Sequence, residues 1–260
     1  MNIIYFPHKL GQKKNGVQNA YKFFKNKGTI VKCTNSQKNL FNNLNNLYIA
    51  NSLSKKNLNI GGDHSMAIGS VAASLNKYKN LKVLWFDAHP DINTFDKSMS
   101  KNYHGMPLAF LTKLDKNDNF KFIKNYLDFK NLLYIGIRDI DSFEAEVIKK
   151  YNINYIKCRD LNLEPKNTLE RINKFIKNDP FHISFDVDCM DPSLIPCTGT
   201  PVKNGLRLRN TKYILDNLIN KNIVNMDITE LNLELGNQKE KEKSIKNTLY
   251  LFNKYLNIIN

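Results

Sequence analysis

The 260-residue sequence predicts an α/β fold: a three-layer, doubly wound, mainly parallel sheet in a single domain over residues 1–260. Three observations lead there. Short apolar runs bounded by turn residues alternate with stretches whose apolar residues recur every three or four positions. No internal repeat and no Gly/Ser-rich linker divides the chain. Three of the apolar runs end in carboxylates and imidazoles, the place where open parallel sheets hold ligands.

Taken in order, residues 3–6 read as a strand stopped by Pro7, and 17–27 as a helix with Val17, Ala20, Tyr21 and Phe24 on one side. A strand follows over 29–33, then a helix over 42–53 carrying Leu44, Leu47, Tyr48 and Ile49. Leu58-Asn59-Ile60 leads as a strand into Gly61-Gly62-Asp63-His64, and 65–75 is helical through Met66, Ile68, Val71 and Leu75. The strand 83–86 opens onto a polar segment, 91–103, read as a functional loop because apolar periodicity stops there. A helix starts within 106–114, and 132–137 is a buried strand ended by Arg138-Asp139. Helix 143–151, strand 153–156, helix 168–176 and strand 183–185 come next, then a loop over 189–205 with Pro192, Pro196 and Pro201. Helix 211–219 and strand 224–228 precede a closing helix in which Ile245, Leu249, Phe252, Leu256 and Ile259 recur at helical spacing.

Composition excludes several classes. No apolar run approaches the roughly 20 residues that span a bilayer. The opening Met1–Pro7 is too short for a signal segment, and no Arg precedes Arg138, so a cytoplasmic location without membrane partners is expected. The net charge of +15 comes from Lys scattered among Asn along the whole chain, without a basic stripe or interleaved aromatics. A nucleic-acid partner is therefore not expected. Cys33, Cys158, Cys189 and Cys197 form no CxxC and no framework, and read as reduced thiols. His182 reads as a packing histidine and His8 as a loop residue.

The chemistry concentrates in three segments: Gly61–Ser65, Asp87-Ala88-His89-Pro90-Asp91 and Asp186-Val187-Asp188. Within the last two the spacing is i, i+2, which keeps side chains on one face of an extended chain. Together they supply two imidazoles, His64 and His89, and four carboxylates, Asp87, Asp91, Asp186 and Asp188. So many anions repel one another unless cations lie between them. Two divalent ions balance four carboxylates, so the pattern reads as a two-metal site.

The motifs Gly-Gly-Asp-His-Ser (61–65), Asp-Ala-His-Pro-Asp-Ile-Asn (87–93) and Ser-Phe-Asp-Val-Asp-Cys-Met-Asp-Pro (184–192) resemble the ureohydrolase family, and within it the arginase branch. The resemblance runs from about Lys9 to Asn232. It implies an arginase-like fold, two Mn²⁺ per chain, and hydrolysis of L-arginine to L-ornithine and urea by a metal-bridging hydroxide. Agmatinase or guanidinobutyrase activity is the alternative within the family. By resemblance His64, Asp87, Asp91 and Asp186 bind one ion, and His89 and Asp188 bind the other, with Asp87 and Asp186 bridging. Asp91 would also hydrogen-bond the hydroxide. His104 resembles the family's proton shuttle, Glu230 the carboxylate that pairs with the guanidinium, and Thr200 a pocket-lining residue beside it. Asn93, Ser100 and Asn102 resemble the groups holding the substrate carboxylate, and Asp141 and Glu144 those facing its amine. The family implies trimers or hexamers. Here Asn210 stands where an acidic partner of Arg209 is common, Leu233 replaces a proline after Asn232, and the chain stops after its last helix without a C-terminal extension.

Overall fold

A computed structural model describes residues 1–34 and 36–257. Its sheet has eight strands: β1 (Asn2–Tyr5), β2 (Thr29–Ile30), β3 (Asn57–Ile60), β4 (Lys82–Phe86), β5 (Leu132–Ile135), β6 (Asn154–Ile156), β7 (Phe181–Asp186) and β8 (Ile223–Thr229). Their order across the sheet is β2-β1-β3-β8-β7-β4-β5-β6, and every pairing is parallel. The middle strands β3, β4, β7 and β8 are buried almost throughout, as a sheet covered on both faces requires.

Helices α1 (Leu40–Ser52), α2 (Ala67–Lys77), α3 (Pro107–Leu111) and α4 (Ser142–Lys150) pack on one face around Leu47, Val71, Trp85 and Tyr134. Helices α5 (Cys158–Leu163), α6 (Pro165–Ile176), α7 (Leu208–Leu218) and α8 (Gln238–Asn257) cover the other face around Phe86, Phe185, Leu215 and Phe252. The three layers form one domain. Alternation along β7 sorts the side chains: Phe181, Ile183 and Phe185 enter the second core, and His182 turns toward α2. His182 is fully buried between Ser74 and Asp227, with ring nitrogens 3.0 Å from each, a structural role as expected.

β3 and β4 are consecutive in the chain but lie apart in the sheet, with β8 and β7 between them. The carboxyl ends of these four neighbouring strands open onto one crevice, where each delivers its motif.

Some expected elements differ. Residues 17–27 form a 3-10 stretch, Val17–Phe23, and the edge strand β2 keeps only two residues of 29–33. The helix expected within 106–114 is the short α3, started by Pro107 at its first position. α5 was not anticipated: its six residues bury only Cys158 and Leu161, too few to show a period. α8 begins seven residues before Ile245, on a Lys/Glu-rich turn with no apolar marker. Ile259 lies outside the described residues. His8, read as a loop residue, is fully buried. Among the described residues no helix is long and apolar enough to cross a membrane.

Candidate metal centre

β3 ends in Gly61 and Gly62, both at positive φ (94° and 90°), which turns the chain sharply beneath Phe6. A Cβ on Gly62 would lie 3.0 Å from the Phe6 carbonyl oxygen, so glycine is required there. Asp63 then caps a 3-10 turn, its carboxylate accepting from the Ser65 N–H at 3.1 Å and the Gly11 N–H at 2.9 Å. The turn aims His64 inward. The His64 ring stacks on Trp85 at 4.2 Å between centroids, and Nε2 lies 2.9 Å from Ser184 Oγ.

That anchoring turns Nδ1 of His64 toward three carboxylates: 3.0 Å from Asp87 Oδ2, 3.0 Å from Asp91 Oδ2 and 3.3 Å from Asp186 Oδ2. A second group lies beside the first. His89 Nδ1 is 3.1 Å from Asp188 Oδ2 and 3.4 Å from Asp87 Oδ1. The two oxygens of Asp87 thus face one histidine each, and Asp87 is common to both potential ion-binding groups. Asp186 falls in the first group only, its Oδ1 accepting the Asp188 N–H at 2.8 Å, so Asp87 alone takes the bridging position that the resemblance implied for both.

The donors fit divalent ions. His64 Nδ1 is buried and has no hydrogen-bond partner although three carboxylate oxygens surround it. Such convergence without hydrogen-bond geometry suits a shared cation; neighbouring ligands of an octahedral ion at about 2.1 Å lie about 3.0 Å apart. Trp85 Nε1 donates to Asp87 at 2.9 Å, the Ala88 N–H to Asp188 at 3.1 Å, and Thr200 Oγ1 to Asp188 at 3.1 Å. Trp85 and Thr200 thus orient the same Oδ2 atoms that face His64 and His89, while the Ala88 N–H holds Asp188 by its other oxygen.

Electrostatics agree. Burial, then repulsion from the neighbouring carboxylates, raises Asp186 and Asp188, and burial with the Asp87 charge lifts Asp91 to about 7. Burial opposes charging of the two imidazoles, yet the surrounding carboxylates raise both His64 and His89. Protons thus accumulate where anions crowd, the condition that a bound dication relieves. Cys189, beside the cluster, is buried and its thiol is pushed well up, so it stays protonated while hard donors surround it.

A cleft of about 350 Å³ opens above the cluster. His89, Asp91, Asp186, Asn93, Ser100, His104, Asp141, Glu144 and Thr200 all line it, joined by Ser98 and Asp139. Asn93 Nδ2 donates to Asp141 at 2.9 Å, which binds the two rims together. Asp141 starts α4 in a capping box whose Glu144 accepts from the Asp141 N–H, while its other oxygen accepts from the Ile92 N–H. Burial lifts the Glu144 carboxyl to about 8.

Asn102 and Glu230 stand outside the cleft lining. Asn102 offers its N–H to Ser100 Oγ. Glu230 lies behind His104, its Oε1 3.1 Å from His104 Nδ1 and accepting the His64 N–H at 2.9 Å, its Oε2 accepting Gln12 Nε2 at 2.6 Å. Burial opposes ionisation of Glu230, but His104 and the His64 N–H hold its carboxyl below the usual range. Burial likewise opposes charging His104, and Glu230 overrides it, raising the imidazole to about 9. Both Asp91 (φ 49°) and Glu230 (φ 63°) hold left-handed backbone, a conformation that persists in non-glycine residues where surroundings impose it.

Gln12, Trp85, Ser184 and Asp139 were missed in the sequence. Trp85 and Ser184 each precede a candidate ligand by two positions on the same strand face, so strand alternation could have found them. Asp139, whose Oδ2 lies 3.6 Å from His89 Nε2, and Gln12 carry no such signal.

Residues 12–251 match the model of the Arginase family. The chain belongs to that family. It is 43% identical over 216 residues to the arginase of Plasmodium falciparum, an alignment covering 78% of this chain and 51% of that protein. It is 34% identical to the arginase of Entamoeba histolytica, over 96% of this chain and 95% of that one. The crystal structure of the Entamoeba histolytica arginase in complex with L-ornithine superposes with a TM-score of 0.87 at 31% identity, covering 98% and 97% of the two chains. The chain therefore spans nearly the whole Entamoeba protein but about half the length of the Plasmodium relative.

Proposed function

We propose that this Arginase-family chain hydrolyses L-arginine to L-ornithine and urea, with two Mn²⁺ held by His64, Asp87, His89, Asp91, Asp186 and Asp188. The observation that carries the reading is the pair of histidine–carboxylate groups meeting at buried Asp87, beneath a cleft lined by His89, Asp91 and Asp186. Oxygen-rich sites completed by imidazole suit Mn²⁺ better than thiophilic ions. When bound, such a pair of dications supplies Lewis-acid activation of a water.

The chain's own residues do the rest. Asp91, at the edge of cluster and cleft, accepts the proton of the attacking water. The water oxygen bonds to the guanidino carbon, the bond to the side-chain nitrogen breaks, and that nitrogen leaves as the ornithine amine after receiving a proton. His104, charged through Glu230 and lining the cleft, is the donor of that proton. Ionised Glu230, behind His104 and outside the lining, would reach the substrate's planar cation only by giving up its contact with Gln12 or His104. Asn93 and Ser100 in the lining, with Asn102 beside them outside it, are neutral donors for the α-carboxylate, and Asp141 and, once ionised, Glu144 are acceptors for the α-amine. Thr200 holds Asp188 while lining the cleft.

The test is urea release by Mn²⁺-loaded protein from L-arginine, agmatine and 4-guanidinobutyrate side by side. Arginine is expected to be the preferred substrate. Faster turnover of agmatine would move the assignment to an agmatinase, and no urea from any of the three would overturn it.

A further inference from the structure

Arg138 follows the turn after β5, and its two ends grip different parts of the centre. Its main-chain N–H donates to the Ala88 carbonyl at 2.8 Å, and the next N–H, from Asp139, reaches the same oxygen at 3.0 Å. Ala88 sits between Asp87 and His89, and its own N–H binds the Asp188 carboxylate. The guanidinium extends to the other motif. Nη2 donates to the carbonyls of Asp188 at 2.9 Å, Val202 at 2.7 Å and Met190 at 3.4 Å. Nη1 donates to the carbonyls of Gly136 at 3.0 Å and Cys189 at 3.3 Å, and Nε to that of Lys203 at 3.0 Å.

These partners are main-chain carbonyls, with the Cys158 sulfur at 3.8 Å, and no salt bridge to Arg138 occurs among the described residues. A buried ion pair is thus not its purpose. A planar fork with five N–H donors, with Nη2 sharing its two among three acceptors, reaches six carbonyls at 136, 188–190 and 202–203; an ammonium with three donors at one point cannot. The irregular segment after β7, which bears Asp188 and Thr200, is tied by isolated bridges at Met190–Leu206 and Thr198–Leu231, and neither bridge reaches the 87–89 turn. Arg138 makes that connection.

We propose that Arg138 is the positioning residue of the metal centre, locking the 188–203 segment onto the 87–89 turn so that Asp188 and His89 meet Asp87 at ligand distance. It touches neither substrate nor ion, and the proposal rests on the two-metal reading above. Of the two groups, the one formed by Asp87, His89 and Asp188 depends on Arg138 directly, whereas His64 is set by Trp85 and Ser184. The outer side of Arg138 walls a cavity of about 900 Å³ with the exposed Ile140 and Tyr155, which gives a small guanidinium access to the vacated position in a truncated variant.

Mn²⁺ binding, followed by the electron paramagnetic resonance of the free ion, tests this on wild type, Arg138→Ala and Arg138→Lys. Metal-free thermal unfolding of each is recorded beside it. Wild type is expected to bind two ions. In both variants one site weakens by about 10- to 100-fold, the usual effect of removing an outer partner, and the other changes less. Added methylguanidinium restores the weakened site in Arg138→Ala and leaves wild type unchanged. Arg138→Lys keeps most of the aliphatic stem, so it carries the comparison should the alanine variant fail to fold. Unchanged two-site binding in either folded variant overturns the proposal. So does a loss that methylguanidinium cannot restore, which would assign it to packing. Failure of wild type to bind two ions overturns instead the metal reading beneath it.

Discussion

His104 and Glu230 show how a single pair sets the charge state of the cleft. Buried imidazole alone favours the neutral ring, but the Glu230 carboxylate 3.1 Å away holds His104 protonated to about pH 9. Because the folded value lies above the ordinary 6.5, the stability contributed by this pair is complete below about pH 6.5 and is lost as pH rises through about 9. NMR titration of the His104 ring is expected to give a midpoint near 9 in wild type, moving to 6.5 or below in Glu230→Gln. A wild-type midpoint between 6 and 7 would contradict the pairing. The candidate ligands stood out in the sequence as carboxylates and imidazoles at i, i+2 spacing, but the extended chain expected from that spacing is absent: 87–91 lies beyond β4 with Asp91 in left-handed backbone, and Val187–Cys189 is a 3-10 turn. Gln12 did not stand out, since it meets Glu230 across 218 positions and no local pattern encodes such a contact.

Elements were legible where burial imposes a period, and obscure where capping chemistry does the work. The apolar half of α8 announces itself through Leu249, Phe252 and Leu256, but its first turns are charged. That start is specified instead by a reciprocal cap: the Glu240 N–H donates to Asn237 Oδ1 at 3.1 Å, and the Asn237 N–H donates to Glu240 Oε2 at 2.8 Å. Asn237→Ala is expected to cost about 1 kcal/mol, measured by denaturant unfolding, with Mn²⁺ binding unaltered. No change in unfolding midpoint would mean that the first turn of α8 is held by packing alone. β7 extends two residues earlier than the strand expected from 183, because His182 breaks the apolar run that begins at Phe181, and Ser184 is a second polar residue within it. Those polar residues face the α2 side, where Ser74, Asp227 and His64 satisfy them.

At the scale of the molecule, the α/β class and parallel pairing followed from the alternation of short and long apolar patterns, but the strand order did not. β8 is last in the chain and lies near the middle of the sheet, between β3 and β7. Placement of that kind depends on which helix covers which face, a non-local choice that periodicity leaves open. It is nevertheless what brings the site together. β3, β8, β7 and β4 are neighbours, so His64, Glu230, Asp186 and Asp87 emerge side by side although they span most of the sequence. The same arrangement gathers acidic groups in one crevice of a chain whose net charge is +15. Positive charge spread over the outside and carboxylates concentrated within fit a cation-binding centre rather than a polyanion partner.

Metal content per chain is the most direct measure of that centre. Equilibrium dialysis against Mn²⁺ followed by elemental analysis should give two ions per chain in wild type and loss of both in folded Asp87→Ala, because Asp87 alone faces both histidines. A single ion in wild type, or two ions retained after removal of Asp87, would contradict the shared two-metal centre.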